Sequence, residues 1–171
     1  MRGWSLHRRR VKETNYYVVT ATRYGKLEGE HTTSKRLESS QGRHALTITR
    51  QGMHFINVHA EFGGDGVARD CRASQLQYLA RAHKCADGCV CFLAGDFNLR
   101  QGEDQVLLDE GWHDSGRQVV DVENGDGWTG AHGEFRARYD RVYIHAGEHE
   151  KTKLPAVRYL AWLQRGGSER S

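Results

Sequence analysis

Three short segments combine residue types able to do hydrolytic chemistry. The first is Gly95-Asp96-Phe97-Asn98-Leu99-Arg100, directly after the apolar run Cys89 to Ala94. That run reads as a strand, and side chains at a strand's end in an α/β sheet face the ligand crevice. Asp96 and Asn98 stand two residues apart, so both can project toward one site. A carboxylate there orients or deprotonates water, and an amide donates to a phosphate oxygen or to the nucleophile. A plain turn uses the same residue types. The second segment is Asn57-Val58-His59-Ala60-Glu61, where His59 and Glu61 share strand parity. A protonated histidine beside a phosphate stabilises its negative charge; the simpler alternative is a hydrogen-bonded surface histidine. The third is Arg138-Tyr139-Asp140-Arg141-Val142-Tyr143. A carboxylate in such a strand orients a histidine or holds a cation, unless it only pairs with Arg138 or Arg141.

The elements that must position these residues are legible from pattern. Tyr16 to Thr20 is β-branched and aromatic, hence a strand. Gly25 to Gly42 is polar and reads as a loop or weak excursion. Ala45–Thr49 and Phe55–His59 alternate around Arg50-Gln51-Gly52-Met53, which predicts a hairpin. Leu76, Leu79, Ala80 and His83 share one face of a helix predicted over 67–84, with Asp65 or Asp70 near its start. The Cys89–Ala94 strand, flanked by Gly88 and Gly95, is expected to be buried on both faces. A short helix through 106–108, a Gly/Asp-rich loop to about 133, a strand over 138–145 and a weak helix over 157–163 follow. Strands interleaved with helices predict an α/β class.

Composition bounds the rest. The chain has 171 residues, a formal charge of +3 and 37% hydrophobic residues, with a mean hydropathy of −0.75. No apolar run approaches the roughly 20 residues needed to span a bilayer, and the near-neutral charge confines any nucleic-acid contact to a local patch. The N-terminus lacks the apolar core of a secretory signal, which predicts an intracellular protein without disulfides. Arg8-Arg9-Arg10 with Lys12 suits a nuclear address, a phosphate-contacting arm or a frayed solvated end. His83-x-Cys85-x3-Cys89-x-Cys91 superficially resembles a zinc cluster but lacks paired C-x2–4-C knuckles.

The motif order, Asn57-Val58-His59-Ala60-Glu61, Arg72-x-x-Gln75-Leu76, Gly95-Asp96-Phe97-Asn98-Leu99-Arg100, Trp128-Thr129 and Tyr139-Asp140-Arg141, resembles the endonuclease/exonuclease/phosphatase superfamily. Within it the match is best to the branch that hydrolyses 5′-phosphotyrosyl–DNA bonds in DNA repair. The resemblance implies an incomplete four-layer α/β sandwich of the deoxyribonuclease-I-like type over 16–145, after a basic arm (1–15) and before an unmatched tail (146–171). It implies Asp96 acting on the attacking water, Asn98 positioning phosphate or nucleophile, His59 beside the scissile phosphate, and Asp140 orienting a further histidine. Glu61, Arg100, Trp128, Tyr139 and Tyr16 would contact substrate, since aromatic faces stack on bases and arginine clamps phosphates. Mg²⁺ is the implied cofactor (Mn²⁺ the substitute), DNA the partner and the nucleus the compartment. The family's strand Asn, its metal-binding Gln-Glu pair and its closing Ser-Asp-His have no match here: Glu13 stands in a charged segment, and neither His145 nor His149 follows Ser-Asp. No metal ligand is therefore assigned. A general nuclease, a phosphatase, or a fragment that binds nucleic acid without catalysis are the alternatives.

Overall fold

Alternating apolar residues on successive segments build one mixed sheet. The computed structural model describes residues 5–10, 17–22, 30–100, 102–115, 130–132, 135–137 and 139–147. Its strands are β1 (Ser5–Arg10), β2 (Tyr17–Thr22), β3 (His31–Arg36), β4 (His44–Arg50), β5 (Met53–His59), β6 (Val90–Asp96), β7 (His113–Asp114), β8 (Gly130–His132), β9 (Phe135–Ala137) and β10 (Asp140–Ala146). Helix α1 (Gly66–Ala82) joins β5 to β6, and α2 (Gln105–Asp109) precedes β7. The six-stranded sheet runs β3-β4-β5-β6-β10-β7; β5 and β6 are parallel and its other described pairs antiparallel. The β5–α1–β6 crossover supplies the one parallel pair, because parallel neighbours need a long connection.

Local chemistry explains the joints. The β4–β5 turn places Gln51 and Gly52 at φ 47 and 76, the left-handed pair that matches the twist of a tight hairpin. Asp65 caps α1, its carboxylate accepting the Ala68 N–H at 2.7 Å. One sheet face packs on the helix: Ala45, Ile56, Val58, Leu93 and Tyr143 meet Leu76, Leu79 and Ala80. Each such fully buried large side chain contributes about 1.5–3 kcal/mol. The buried Trp112 closes one end, its indole N–H donating to the Ala80 carbonyl at 3.3 Å.

The opposite face, bearing Phe55, Asn57 and Phe92, carries the β1–β2 hairpin. Asn57 Nδ2 donates to the Val19 carbonyl at 2.8 Å and to Thr20 Oγ1 at 3.1 Å. That hairpin lies over β4 and β5, so Val90, Phe92 and Ala94 of β6 are only half-buried on this side. β6 is thus covered fully on its helix side alone, not on both faces as expected.

Other differences follow from partners the sequence does not display. Ser5–Arg10, expected in a charged arm without strand character, pairs with β2; His7 turns inward to Glu30 at 3.2 Å while Leu6 and Arg8 face solvent. His31–Arg36, expected as loop or weak excursion, is an exposed edge strand whose polar side chains suit an edge. The 157–163 helix and the tail beyond 147 lie outside the described residues. Cys85 and Cys91 form a disulfide, with Cα atoms 6.1 Å apart, while Cys71 and Cys89 are free. This overturns the disulfide-free expectation and takes Cys85 and Cys91 out of the His83-x-Cys85-x3-Cys89-x-Cys91 pattern: the α1–β6 connection brings the two cysteines within bridging reach. The disulfide closes a short loop, so its reduction is expected to lower stability by about 2 kcal/mol. Urea denaturation with and without a thiol reductant measures this. No helix among the described residues is long and apolar enough to cross a membrane.

Candidate active site

The ends of three adjacent strands place the chemistry in one row. In register His59 pairs with Asp96 across β5 and β6, and Asp96 pairs with Asp140 across β6 and β10. Directly opposed residues share a sheet face, so His59, Asp96 and Asp140 lie side by side on the face opposite α1. His59 Nε2 stands 3.8 Å from Asp96 Oδ2, and both side chains are more than one-third exposed. They open into a cleft of about 640 Å³ lined by Gln41, Arg43, His59, Phe62, Asp96, Asn98 and Tyr139.

Gly95 permits this row. Its φ is 143, and a Cβ there would sit 1.9 Å from the Val58 carbonyl oxygen. Only glycine lets β6 approach β5 this closely just before Asp96. Beyond the strand the chain turns sharply: Asn98 adopts φ 51, a left-handed conformation that asparagine tolerates better than most residues. Its backbone N–H donates to Asp96 Oδ1 at 3.0 Å, and its Nδ2 donates to the Ala60 carbonyl at 3.2 Å. Asn98 therefore aims the carboxylate and ties the ends of β5 and β6 together, while also lining the cleft. The segment is the turn its residue types suit, and that turn faces Asp96 and Asn98 into the cleft.

Glu61 stands elsewhere. It is fully buried, and its carboxylate accepts from the Ser39 and Ser40 hydroxyls and, at 3.1 Å, from the Ser40 N–H. Shared parity with His59 fails because the strand ends at His59. Glu61 thus anchors the loop that carries Gln41 and Arg43 into the cleft and does not itself face it. The Arg72-x-x-Gln75 spacing on α1 serves the same framework. Gln75 Oε1 accepts the Glu61 N–H at 3.0 Å and its Nε2 donates to the Glu38 carbonyl at 2.6 Å. Arg72 donates to the carbonyls of Glu61 and Gly63 and makes a two-pronged pair with Glu103, both contacts at 2.9 Å. Burial alone would raise Glu103, but the Arg72 side chain and the Arg100 N–H outweigh it and hold its carboxyl below the usual range. Arg100 lies 5.3 Å from the Tyr139 ring centroid and donates to its hydroxyl. Tyr16, Trp128 and Arg138 lie outside the described residues.

Arg43, Gln41 and Phe62 are cleft residues that no single-residue assignment in the sequence named. The first two come from one loop. Both sit in a polar stretch with no periodicity and reach the site only because β3 pairs with β4 and the Leu37 N–H closes the loop on the Arg43 carbonyl at 2.9 Å. Arg43 bears on His59. Burial lowers the histidine's pKa most, Arg43 lowers it further, and Asp96 and Asp140 pull it upward; the outcome lies below 6.5. The shift favours the uncharged imidazole over the protonated one expected of His59, and Arg43 is the lining residue that carries a permanent positive charge. Arg43→Ala should raise the His59 pKa and Asp96→Asn should lower it, both read by NMR titration of the ring.

No family model matches the chain, and no curated protein matches it. Solved structures do, and their likeness shows the fold: this chain's α/β fold is like that of solved deoxyribonuclease-I-like endonuclease/exonuclease/phosphatase structures. Truncated TDP2 from Caenorhabditis elegans superposes with a TM-score of 0.61 at 18% identity, over 84% of this chain and 62% of that one. D. rerio TDP2 complexed with a single-strand DNA product gives 0.60 at 18%, over 86% and 64%. The 3′ phosphatase NExo from Neisseria, bound to a product DNA hairpin, gives 0.58 at 19%, over 84% and 67%. The chain spans less than two thirds of the length of the TDP2 structures it matches.

Proposed function

We propose that this chain is a phosphodiesterase-type hydrolase domain resembling tyrosyl-DNA phosphodiesterase 2, acting on a 5′-phosphotyrosyl–DNA bond. The observation that carries this reading is the His59–Asp96–Asp140 row opening onto a cleft with Arg43. Asp96, aimed by the Asn98 N–H, takes the proton of a water attacking phosphorus as the bond to the leaving oxygen breaks. Neutral His59 donates a hydrogen bond to a phosphate oxygen, and Arg43 offsets the phosphate charge. Asp140 flanks Asp96 and favours a cation or protonated partner beside it.

Mg²⁺ takes hard oxygen ligands, commonly one or two carboxylates completed by substrate phosphates. The described residues contain no group of three or more His, Cys, Asp or Glu that could hold a metal. Asp96 and Asp140, opposed across β6 and β10, fit the one- or two-carboxylate kind of site. When bound there, the ion would polarise the phosphate and acidify water.

The test gives the 171-residue chain a 5′-phosphotyrosyl oligonucleotide with Mg²⁺. Release of tyrosine that Asp96→Asn loses supports the proposal; turnover no faster than that of Asp96→Asn rejects it. The small donor set favours a second reading, binding without catalysis. Retained oligonucleotide affinity, weakened in Trp128→Ala, would then support that one. A nuclear location belongs to the DNA-repair reading and stands or falls with it.

A further inference from the structure

Ser39 joins an exposed strand to a buried anion. Its hydroxyl donates to Glu61 Oε2, while the Ser40 hydroxyl and, at 3.1 Å, the Ser40 N–H donate to Glu61 Oε1. Both oxygens of a fully buried carboxylate are thus met by donors from one loop. That loop in turn sets the cleft. The Gln41 N–H donates to Ser39 Oγ at 2.9 Å, and Gln41 Oε1 accepts from Arg43 Nη2 at 2.6 Å and from the Phe62 N–H at 3.2 Å. The position of the Arg43 guanidinium therefore runs back through Gln41 to the Ser39–Glu61 contact.

The approach to Ser39 suits a protein kinase, which takes its substrate as an extended segment in an acidic groove. β3 is an edge strand of the six-stranded sheet, and all of its residues are exposed. It ends in Lys35 and Arg36, four and three residues before Ser39. Arginine three residues before a serine is the pattern an acidic kinase groove selects, carboxylate against guanidinium. A phosphate on Ser39 would turn a donor into an acceptor-only group of about −1.5 to −2 charge at pH 7. It would lie against a carboxylate withdrawn from water, where like charges repel most strongly.

We propose that Ser39 is a phosphorylation site for an arginine-directed serine kinase, and that its phosphate drives the 37–43 loop off Glu61 and takes Gln41 and Arg43 out of the cleft. The seryl Oγ attacks the γ-phosphorus of Mg·ATP. The Oγ–P bond forms, the bond from that phosphorus to the β,γ-bridging oxygen breaks, ADP leaves with the electron pair, and the hydroxyl proton passes to the kinase's base. The kinase captures the loop when it opens locally, and the phosphate then keeps it open. The proposal stands independently of any turnover in the cleft.

Two measurements test it. The wild-type chain is given Mg·ATP and an arginine-directed serine kinase, with the modified residue mapped by mass spectrometry. Incorporation at Ser39 that Ser39→Ala abolishes and Arg36→Ala reduces about ten-fold supports the site, the arginine being a charge-assisted contact. No incorporation, or incorporation that survives Ser39→Ala, overturns it. The switch is read by amide hydrogen exchange on a chain with phosphoserine genetically encoded at position 39. The Leu37 N–H, held by the Arg43 carbonyl, and the Phe62 N–H, held by Gln41, report the loop. Ser39→Ala should speed their exchange by about ten-fold, the loss of one hydrogen bond to a charged group, because Ser40 still donates. Phosphoserine should speed it by about 100-fold or more, since repulsion is added to that loss. Glu61→Gln removes the repelling charge and should return the phosphoserine chain to about the Ser39→Ala level. Exchange in the phosphoserine chain no faster than in Ser39→Ala, or unaltered by Glu61→Gln, overturns the switch. The comparison with Ser39→Ala holds whether or not Glu61→Gln folds. Amides of β6 should keep their protection throughout; their loss in the phosphoserine chain would mean general unfolding and would also overturn a switch confined to the loop.

Discussion

Asp96→Asn is expected to lower kcat for phosphodiester cleavage by about 10²–10⁴-fold, the usual contribution of a positioned general base. The substitution is nearly isosteric. The new amide oxygen still accepts the Asn98 N–H that Asp96 Oδ1 now takes at 3.0 Å, so the turn survives. What disappears is proton affinity, together with the negative charge that pulls the His59 pKa upward. KM should change far less than kcat, because Arg43, the cleft's permanent cation, is left in place. Steady-state rates alongside thermal melting decide the matter. A variant that keeps its melting temperature and cleaves within a few-fold of the wild-type chain removes Asp96 from the chemistry.

Gly95→Ala should be the most damaging alanine substitution among the described glycines. The new Cβ would lie 1.9 Å from the Val58 oxygen and 2.9 Å from the Val58 carbonyl carbon, at φ 143. No rotamer relieves a backbone clash, so β5 and β6 must part where Val58 pairs with Gly95. Strain in that region of φ costs about 1–3 kcal/mol and overpacking about as much again, so a loss of about 3–5 kcal/mol is expected from urea denaturation. Activity should fall as well, since the next pair in register is His59 with Asp96. Gly66→Ala is the control: a Cβ there meets nothing within 4 Å, and in the first turn of α1 alanine should be neutral or favourable. Equal behaviour of the two variants would refute the close-approach argument.

The two glycines look alike in the sequence and differ in backbone conformation and in what lies behind them. The same division runs through the site. Gly95-Asp96-Phe97-Asn98 stands out because a polar cluster directly after an apolar strand signals a strand-end crevice, His59 because it ends an alternating run, and Asp140 because a carboxylate interrupts the 138–145 run, whose strand in the structure begins at Asp140 itself. Glu61 was misplaced because parity was carried one step past the end of β5. Gln41, Arg43 and Phe62 gave no periodic signal; they enter the cleft through the buried Glu61 carboxylate and the β3–β4 pairing. The disulfide was equally hidden, because compartment predicts whether thiols oxidise and only the fold sets how far apart they stand.

By itself the sequence determined the α/β class, the hairpin and the helix between β5 and β6, and it singled out His59, Asp96 and Asp140 as candidates. These depend on period and on local turn and cap chemistry, which neighbours in sequence fix. The tertiary structure alone decided that His59, Asp96 and Asp140 form one row, that Arg43 carries the permanent positive charge beside a histidine shifted toward its uncharged form, and that Glu61 supports the cleft from behind. The reason is that register, burial and the fields between charges are set by residues distant along the chain, and no local pattern encodes their separation.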